Sequence, residues 1–219
     1  MNTILTLGGI TILPLLAFSM IAVVLIGERL LFWWRVHQQQ RRLMMTVLAA
    51  YREDPQGAIA YLKTKPNLPI ARIFLAALIL PEPTPAEFSL ALETAAQGEL
   101  PILKRFNTVF ETIITASPLL GLLGTILGLM RTFVNLNLGA QTLFQTAGVT
   151  RGIAEALIST AAGLIIAIIT LLFANLFRGL ARRQMILIQT AGGQLELLYR
   201  RNYRIIAPAH EKQEGDRPA

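Results

Sequence analysis

Three long, uncharged and apolar stretches dominate the pattern of hydrophobic and polar positions along the chain. The first 27 residues carry no charge, and two later stretches, 112–130 and 156–177, hold 19 and 22 uncharged residues. A helix that crosses the hydrocarbon core of a bilayer needs about 20 such residues. The pattern therefore predicts three transmembrane helices. We place them at residues 1–34, 105–137 and 151–178.

The first stretch could also be a secretory signal peptide. No basic region precedes its apolar core and no Ala-x-Ala cleavage site follows it. Trp33 and Trp34, followed by basic residues, are instead typical of anchors at a membrane interface. We therefore interpret the stretch as a membrane helix. A fourth apolar stretch, 69–80, has only 12 residues and is better suited to a packed helix.

The regions beside the three stretches also favour helices. Good helix formers are frequent in 37–51, and Thr84-Pro85-Ala86-Glu87 combines the residues of a capping box with proline at the first helical position. From there we expect one helical rod over 85–136, kinked at Pro101. The polar end of the chain favours disorder. The expected divisions outside the membrane are 35–104 (cytoplasmic helical segment), 138–150 (short external loop), 179–206 (cytoplasmic helix) and 207–219 (disordered tail).

The 20 lysine and arginine residues are unevenly distributed along the chain. Nine fall in 34–105 and eight from residue 178 onwards, whereas the first 28 residues have none. Basic residues accumulate in cytoplasmic loops, so both rich segments are expected in the cytoplasm, with the N-terminus outside. Membrane topology thus accounts for the net charge of +7, and nucleic-acid binding has no separate support.

Few residues are suited to catalysis or metal binding. The chain has no cysteine and only two histidines, and it lacks the common metal-binding motifs. The membrane segments offer no convergent nucleophile, base or metal ligands, so we expect neither an enzyme nor a metal or cofactor. Another kind of transporter or ion channel, or a passive membrane scaffold, remains an alternative function. A transporter would favour broken helices or a polar cluster at the midplane, and the sequence has neither.

Small residues follow one face of each of the last two apolar stretches. Gly121, Gly124 and Gly128 are spaced at i, i+3 and i+7, and a second row includes Gly152 and Gly163. Each glycine costs a helix about 1 kcal/mol relative to alanine, but in lipid small residues allow close helix approach. The rows predict tight packing, either within one subunit or around an oligomer axis. The plainest interpretation is packing alone, with threonine hydroxyls bonded to their own helices.

Two motifs on these stretches resemble a known family. The segments SPLLGLLGTILGLMRTF (117–133) and GIAEALISTAAGLIIAI (152–168) together resemble the paired signature of the MotA/TolQ/ExbB proton channel family, most of all its ExbB and TolQ branches. The resemblance implies an all-α membrane protein with three transmembrane helices, two of them extended far into the cytoplasm, that form an oligomeric helical pore.

The resemblance also implies partners and a location. The family's pore is a homopentamer in the bacterial inner membrane that encloses the helices of a single-span, ExbD- or TolR-like partner. Proton flow drives motion that passes to a TonB- or TolA-like protein, for energised transport or for envelope maintenance. No cofactor is implied.

Carried over by position, the family's functional residues fall on named residues of this chain. The threonine of its Gly-Thr step falls on Thr125, its third-span threonine on Thr160 and its glutamate on Glu155. Pro118 matches the proline before the glycine row. Arg151 stands where the family has proline or a small residue, and its charge would favour an ionised Glu155.

Glu155 has two interpretations from its position alone. An intramembrane carboxylate is a candidate for an ion path, whereas a carboxylate at the headgroups would be solvated and paired with Arg151. Thr125, Ser159 and Thr160 can relay hydrogen bonds but cannot store a proton. If protons flow, the titrating group at mid-membrane must come from a partner. Glu155 and Thr160 are also about 140° apart on an ideal helix.

Overall fold

The computed structural model describes residues 11–136 and 143–214, and within them the side chains of all residues except 41, 134–149, 151 and 205–214. These residues form six helices and no strand. The helices are α1 (Ile12–Glu53), α2 (Pro55–Lys63), α3 (Pro69–Leu78), α4 (Pro85–Leu103), α5 (Asn107–Leu136) and α6 (Leu143–Glu214).

In the part of the chain that the structure describes, three helical stretches are long and apolar enough to cross a membrane, as the sequence predicts. They are Ile12–Glu53, Pro85–Phe133 and Gly152–Arg204. Helix ends differ from the expected divisions: α1 passes position 34 without a break, and α6 already begins at Leu143. The expected tail from 207 is helical as far as Glu214, and its last five residues lie outside the described chain.

The expected rod over 85–136 is wrong, because the helix breaks between α4 and α5. Pro101 lies inside α4, and the helix ends two residues later, at Leu103. Phe106 then has a φ of 68°, in the left-handed region that phenylalanine rarely adopts. Its ring lies 5.3 Å from the guanidinium carbon of Arg29 and 4.6 Å from that of Arg105. Two cation–π contacts therefore stabilise the residue at which the helix is interrupted.

The chain divides into two compact units. The first, which we call the membrane unit, comprises 1–30 and 105–178, and the second, the hairpin unit, comprises 31–104 and 179–219. In the described part of the membrane unit the buried positions of α5 and α6 are mostly small, whereas large apolar side chains such as Leu119 and Leu157 are exposed. This arrangement suits helices that pack closely in lipid.

The hairpin unit has an apolar core and two polar contacts between its elements. Helices α3 and α4 pack together, and Arg72 of α3 forms a two-pronged ion pair with the buried Glu99 of α4, with N···O distances of 2.6 and 2.5 Å. This hydrogen-bonded pair raises the pKa of Arg72. Tyr199 of α6 stacks on Phe88 of α4, with ring centroids 4.1 Å apart, and its hydroxyl donates to the carbonyl of Pro83.

The start of α4 follows its sequence signal. Thr84 accepts a hydrogen bond from the backbone N–H of Glu87, and the Glu87 side chain accepts one from the N–H of Thr84. The capping box is therefore confirmed, with Pro85 at the first helical position.

Candidate functional site

Helices α5 and α6 touch through their glycine rows inside a single chain. A methyl group added at Gly121 would lie 2.9 Å from the carbonyl oxygen of Ser159 and 3.0 Å from Cα of Thr160. One added at Gly128 would lie 3.0 Å from Cβ of Ala156. At Gly121 these nearest atoms belong to the backbone of α6, so the two backbones are in direct contact there. Of the two arrangements that the sequence allows, the structure places these rows within one subunit.

The closest approach to a backbone atom is at Gly163 of α6. A methyl group there would overlap the carbonyl oxygen of Ser117 and lie 3.3 Å from Cα of Gly121. Pro118 follows in the middle of α5, where its missing N–H leaves the carbonyl of Ile114 without its helical donor. Ser117 is fully buried, and its hydroxyl has no hydrogen-bond partner among the described residues. The sequence reasoning missed Ser117, although it is the first residue of the 117–133 motif.

Two hydroxyls of α6 converge on one carbonyl of α5. Thr160 donates to the carbonyl of Gly121 at 3.0 Å, and the buried Ser159 donates to that of Ala156 at 2.9 Å, with a longer contact of 3.4 Å to Gly121. Ser159 thus remains tied to its own helix, whereas the half-buried Thr160 bonds across to α5. The plain interpretation, in which each threonine serves only its own helix, does not hold for Thr160.

A third helix reaches the same place. Thr11, the residue before α1, is buried, and a methyl group added at Gly124 would lie 2.6 Å from its hydroxyl oxygen and overlap that of Ser159. A hydroxyl just before α1 and one from α6 therefore lie close together beside Gly124 of α5. We call Thr11, Gly121, Gly124, Ser159 and Thr160 the hydroxyl junction. No motif marks Thr11 in the sequence, and only the fold brings it here.

The other predicted residues lie outside the junction. Thr125 is half-buried and donates to the carbonyl of Leu122 in its own helix, at 2.6 Å. Glu155 is half-buried and interacts with another group of the chain. Its expected pairing with Arg151 falls outside the described side chains. A methyl group added at Gly152 would overlap the hydroxyl oxygen of Thr132, which extends the helix contact beyond the junction.

The junction can hold and pass hydrogen bonds but cannot store a proton. Its polar groups are hydroxyls and backbone carbonyls, which do not titrate near neutral pH. In the part of the chain that the structure describes, no group of three or more His, Cys, Asp or Glu side chains could hold a metal ion.

Comparisons with known proteins agree with the two motifs. The model of the MotA/TolQ/ExbB proton channel family matches residues 65–190. The ExbB-like 3 biopolymer transport protein of a Synechocystis strain is 61% identical over 194 residues, covering 89% of this chain and 92% of that protein. The ExbB-like 1 protein of the same strain is 41% identical, over 88% of this chain and 76% of that protein. The biopolymer transport protein ExbB of Salmonella typhimurium is 41% identical over a shorter region of 91 residues.

Proposed function

The chain belongs to the MotA/TolQ/ExbB proton channel family, in its ExbB branch, and on that premise we propose that it is the channel subunit of a proton-driven motor in the bacterial inner membrane. In this proposal several copies, five by analogy with the family, surround the helix of a single-span, ExbD-like partner. Proton flow through the complex energises transport through a TonB-like protein. The ExbB role is preferred to the TolQ role because the relatives are named as biopolymer transport proteins.

The observation that carries the proposal is the hydroxyl junction. It lies at a close contact of two membrane helices, and it holds polar groups without any acid or base. A chain built in this way can orient water or a partner's side chain, but a titrating group must be supplied to it. The partner's helix would supply a carboxylate. Thr160 is the junction residue best placed to hydrogen-bond to it, because its side chain is only half-buried.

The proposed orientation follows from charge. Basic residues are dense after the first span and after the third, so these parts lie in the cytoplasm and the N-terminus lies outside. Glu155, at the other end of the third span, is then near the outer surface. We propose that it guides cations to the pore rather than carrying protons through it.

The decisive experiment measures proton flux into liposomes. Complexes of this chain with its single-span partner should collapse a proton gradient, whereas this chain alone should not. Thr160→Val, which keeps the side-chain shape and removes the hydroxyl, should abolish the flux while the complex still assembles.

The matched control is Thr170→Val on the same helix. Thr170 is buried, and its hydroxyl donates to the carbonyl of Ile166 in its own helix, at 2.7 Å. This variant should keep its flux. Equal flux with and without the partner, or full flux in Thr160→Val, would contradict the proposal.

A further inference from the structure

One face of α4 in the hairpin unit carries an exposed leucine between two carboxylates. Leu90 is 62% exposed, and Glu87 and Glu93 stand three residues before and after it, on the same side of the helix. We call these three residues the acidic ridge. A shallow apolar groove of about 430 Å³ runs beside Leu90. Its other walls are mostly small: Ala76, Ala91, Thr94 and Ala95.

A second surface of the hairpin unit has the opposite charge. Arg52 near the end of α1 and Arg201 of α6 border a cleft of about 370 Å³. Leu48, Leu197, Leu198 and Gln194 complete its lining. Both arginines are exposed, and neither forms an ion pair or a side-chain hydrogen bond in the described part of the chain. Leu197 is 68% exposed. We call this surface the basic cleft.

The ridge and the cleft of one chain point away from each other. Phe88, two residues before Leu90, is fully buried and stacks on Tyr199. Residues two apart on a helix point about 200° apart, so Leu90 faces away from α6. By the same spacing, Leu197 faces away from the Phe88–Tyr199 contact. One chain therefore cannot join its own two surfaces.

We propose that the acidic ridge of one copy docks in the basic cleft of a second copy. Leu90 enters the leucine-lined cleft, and Glu87 and Glu93 meet Arg52 and Arg201. The contact joins two different surfaces, so each copy keeps one of them for the next neighbour, and a closed ring satisfies all of them. The inference rests on the proposed homo-oligomer and names the surfaces that would build it outside the membrane.

Disulfide cross-linking tests the pairing directly, because the natural chain has no cysteine. Leu90→Cys and Leu197→Cys are placed on two differently tagged full-length chains, which are expressed together with the single-span partner. After oxidation in membranes, we expect a dimer band that carries both tags. Either variant expressed alone should give no dimer, because only one of the two facing surfaces then carries a cysteine.

The matched control pairs Leu90→Cys with Ile186→Cys. Ile186 is on the same helix as Leu197 and is 62% exposed, but it does not line the cleft. This pair should remain uncross-linked. A missing band for Leu90 with Leu197, an equal band for the control pair, or dimers from a single variant would each overturn the proposal.

Charge reversal provides a second measurement. Arg201→Glu in the chain that carries Leu197→Cys should lower the dimer yield about two- to fivefold, the scale of an exposed ion pair. Glu93→Arg in the other chain should restore it. The cross-linking yield is measured without proton flow. It therefore tests the docking independently of the proposed motor function. Cross-links without flux would count against the motor function alone, and flux without cross-links would count against this docking alone.

Discussion

Replacing Gly163 by alanine should test whether backbone contact between α5 and α6 holds the membrane unit together. The new methyl group would overlap the carbonyl oxygen of Ser117 and lie 3.2 Å from its carbonyl carbon. Both atoms belong to the backbone, so no side-chain rotation can relieve the overlap. The helices must move apart by a sizeable fraction of an ångström.

The cost has two parts. Overpacking a well-packed contact typically costs about 1–3 kcal/mol. Separation also lengthens the 3.0 Å hydrogen bond from Thr160 to Gly121, and an interhelical hydrogen bond in a membrane contributes about 0.6 kcal/mol on average. We therefore expect Gly163→Ala to lower the free energy of unfolding by about 1.5–3.5 kcal/mol.

Gly179 offers the matched control on the same helix. A methyl group added there meets no atom within 4 Å. Gly179→Ala should be neutral or stabilising by up to about 1 kcal/mol, because alanine favours the helix. Both variants are measured in detergent by reversible unfolding in SDS, followed by far-ultraviolet circular dichroism. A Gly163→Ala protein as stable as the Gly179→Ala protein would refute the backbone-contact reasoning.

Two further predictions concern the hairpin unit. Glu99→Gln should lower the free energy of unfolding by about 1.5–3 kcal/mol, because the buried Glu99 loses its charged hydrogen bonds to Arg72. Unfolding in urea measures this loss. The exposed Glu93→Gln should show no comparable loss. Gln40→Leu should stabilise the hairpin unit by about 1–3 kcal/mol, because the Gln40 amide is buried and neither of its polar atoms is hydrogen-bonded within the described part of the chain. The exposed Gln38→Leu serves as control. A destabilised Gln40→Leu protein would show that the amide is satisfied in solution.

Much of the helical architecture can be predicted from the sequence because its signals are local. Long uncharged stretches and a capping box depend on consecutive residues, and the three spans and the start of α4 follow from them. The break before α5 could not be predicted in the same way. Pro101 indicated the region, but the turn occurs at Phe106, where the Phe106 ring contacts the guanidinium groups of Arg29 and Arg105. Arg29 is distant in sequence, and no local pattern points to it.

The candidate site could likewise be predicted only where its signals are local in sequence. The glycine rows were visible as spacing, since helical geometry places such residues on one face. Which surface each row would meet was not visible, because a subunit contact and an oligomer contact need the same small residues. Thr11 and Ser117 were missed because their importance comes from burial and from neighbours on other helices.

The partners of the hydroxyls bear on how the proposed channel would conduct. Thr112, Thr115, Thr125, Thr132 and Thr170 each donate to a carbonyl of their own helix, a bond that any membrane helix can supply. Thr160 instead donates to a neighbouring helix, while remaining half-buried. Its hydrogen bond can be exchanged for one to water or to a partner's carboxylate without unwinding α6, because the backbone of α6 does not depend on it. The proposed proton path therefore needs no new polar residue in this chain, only a titrating group brought within reach of one hydroxyl.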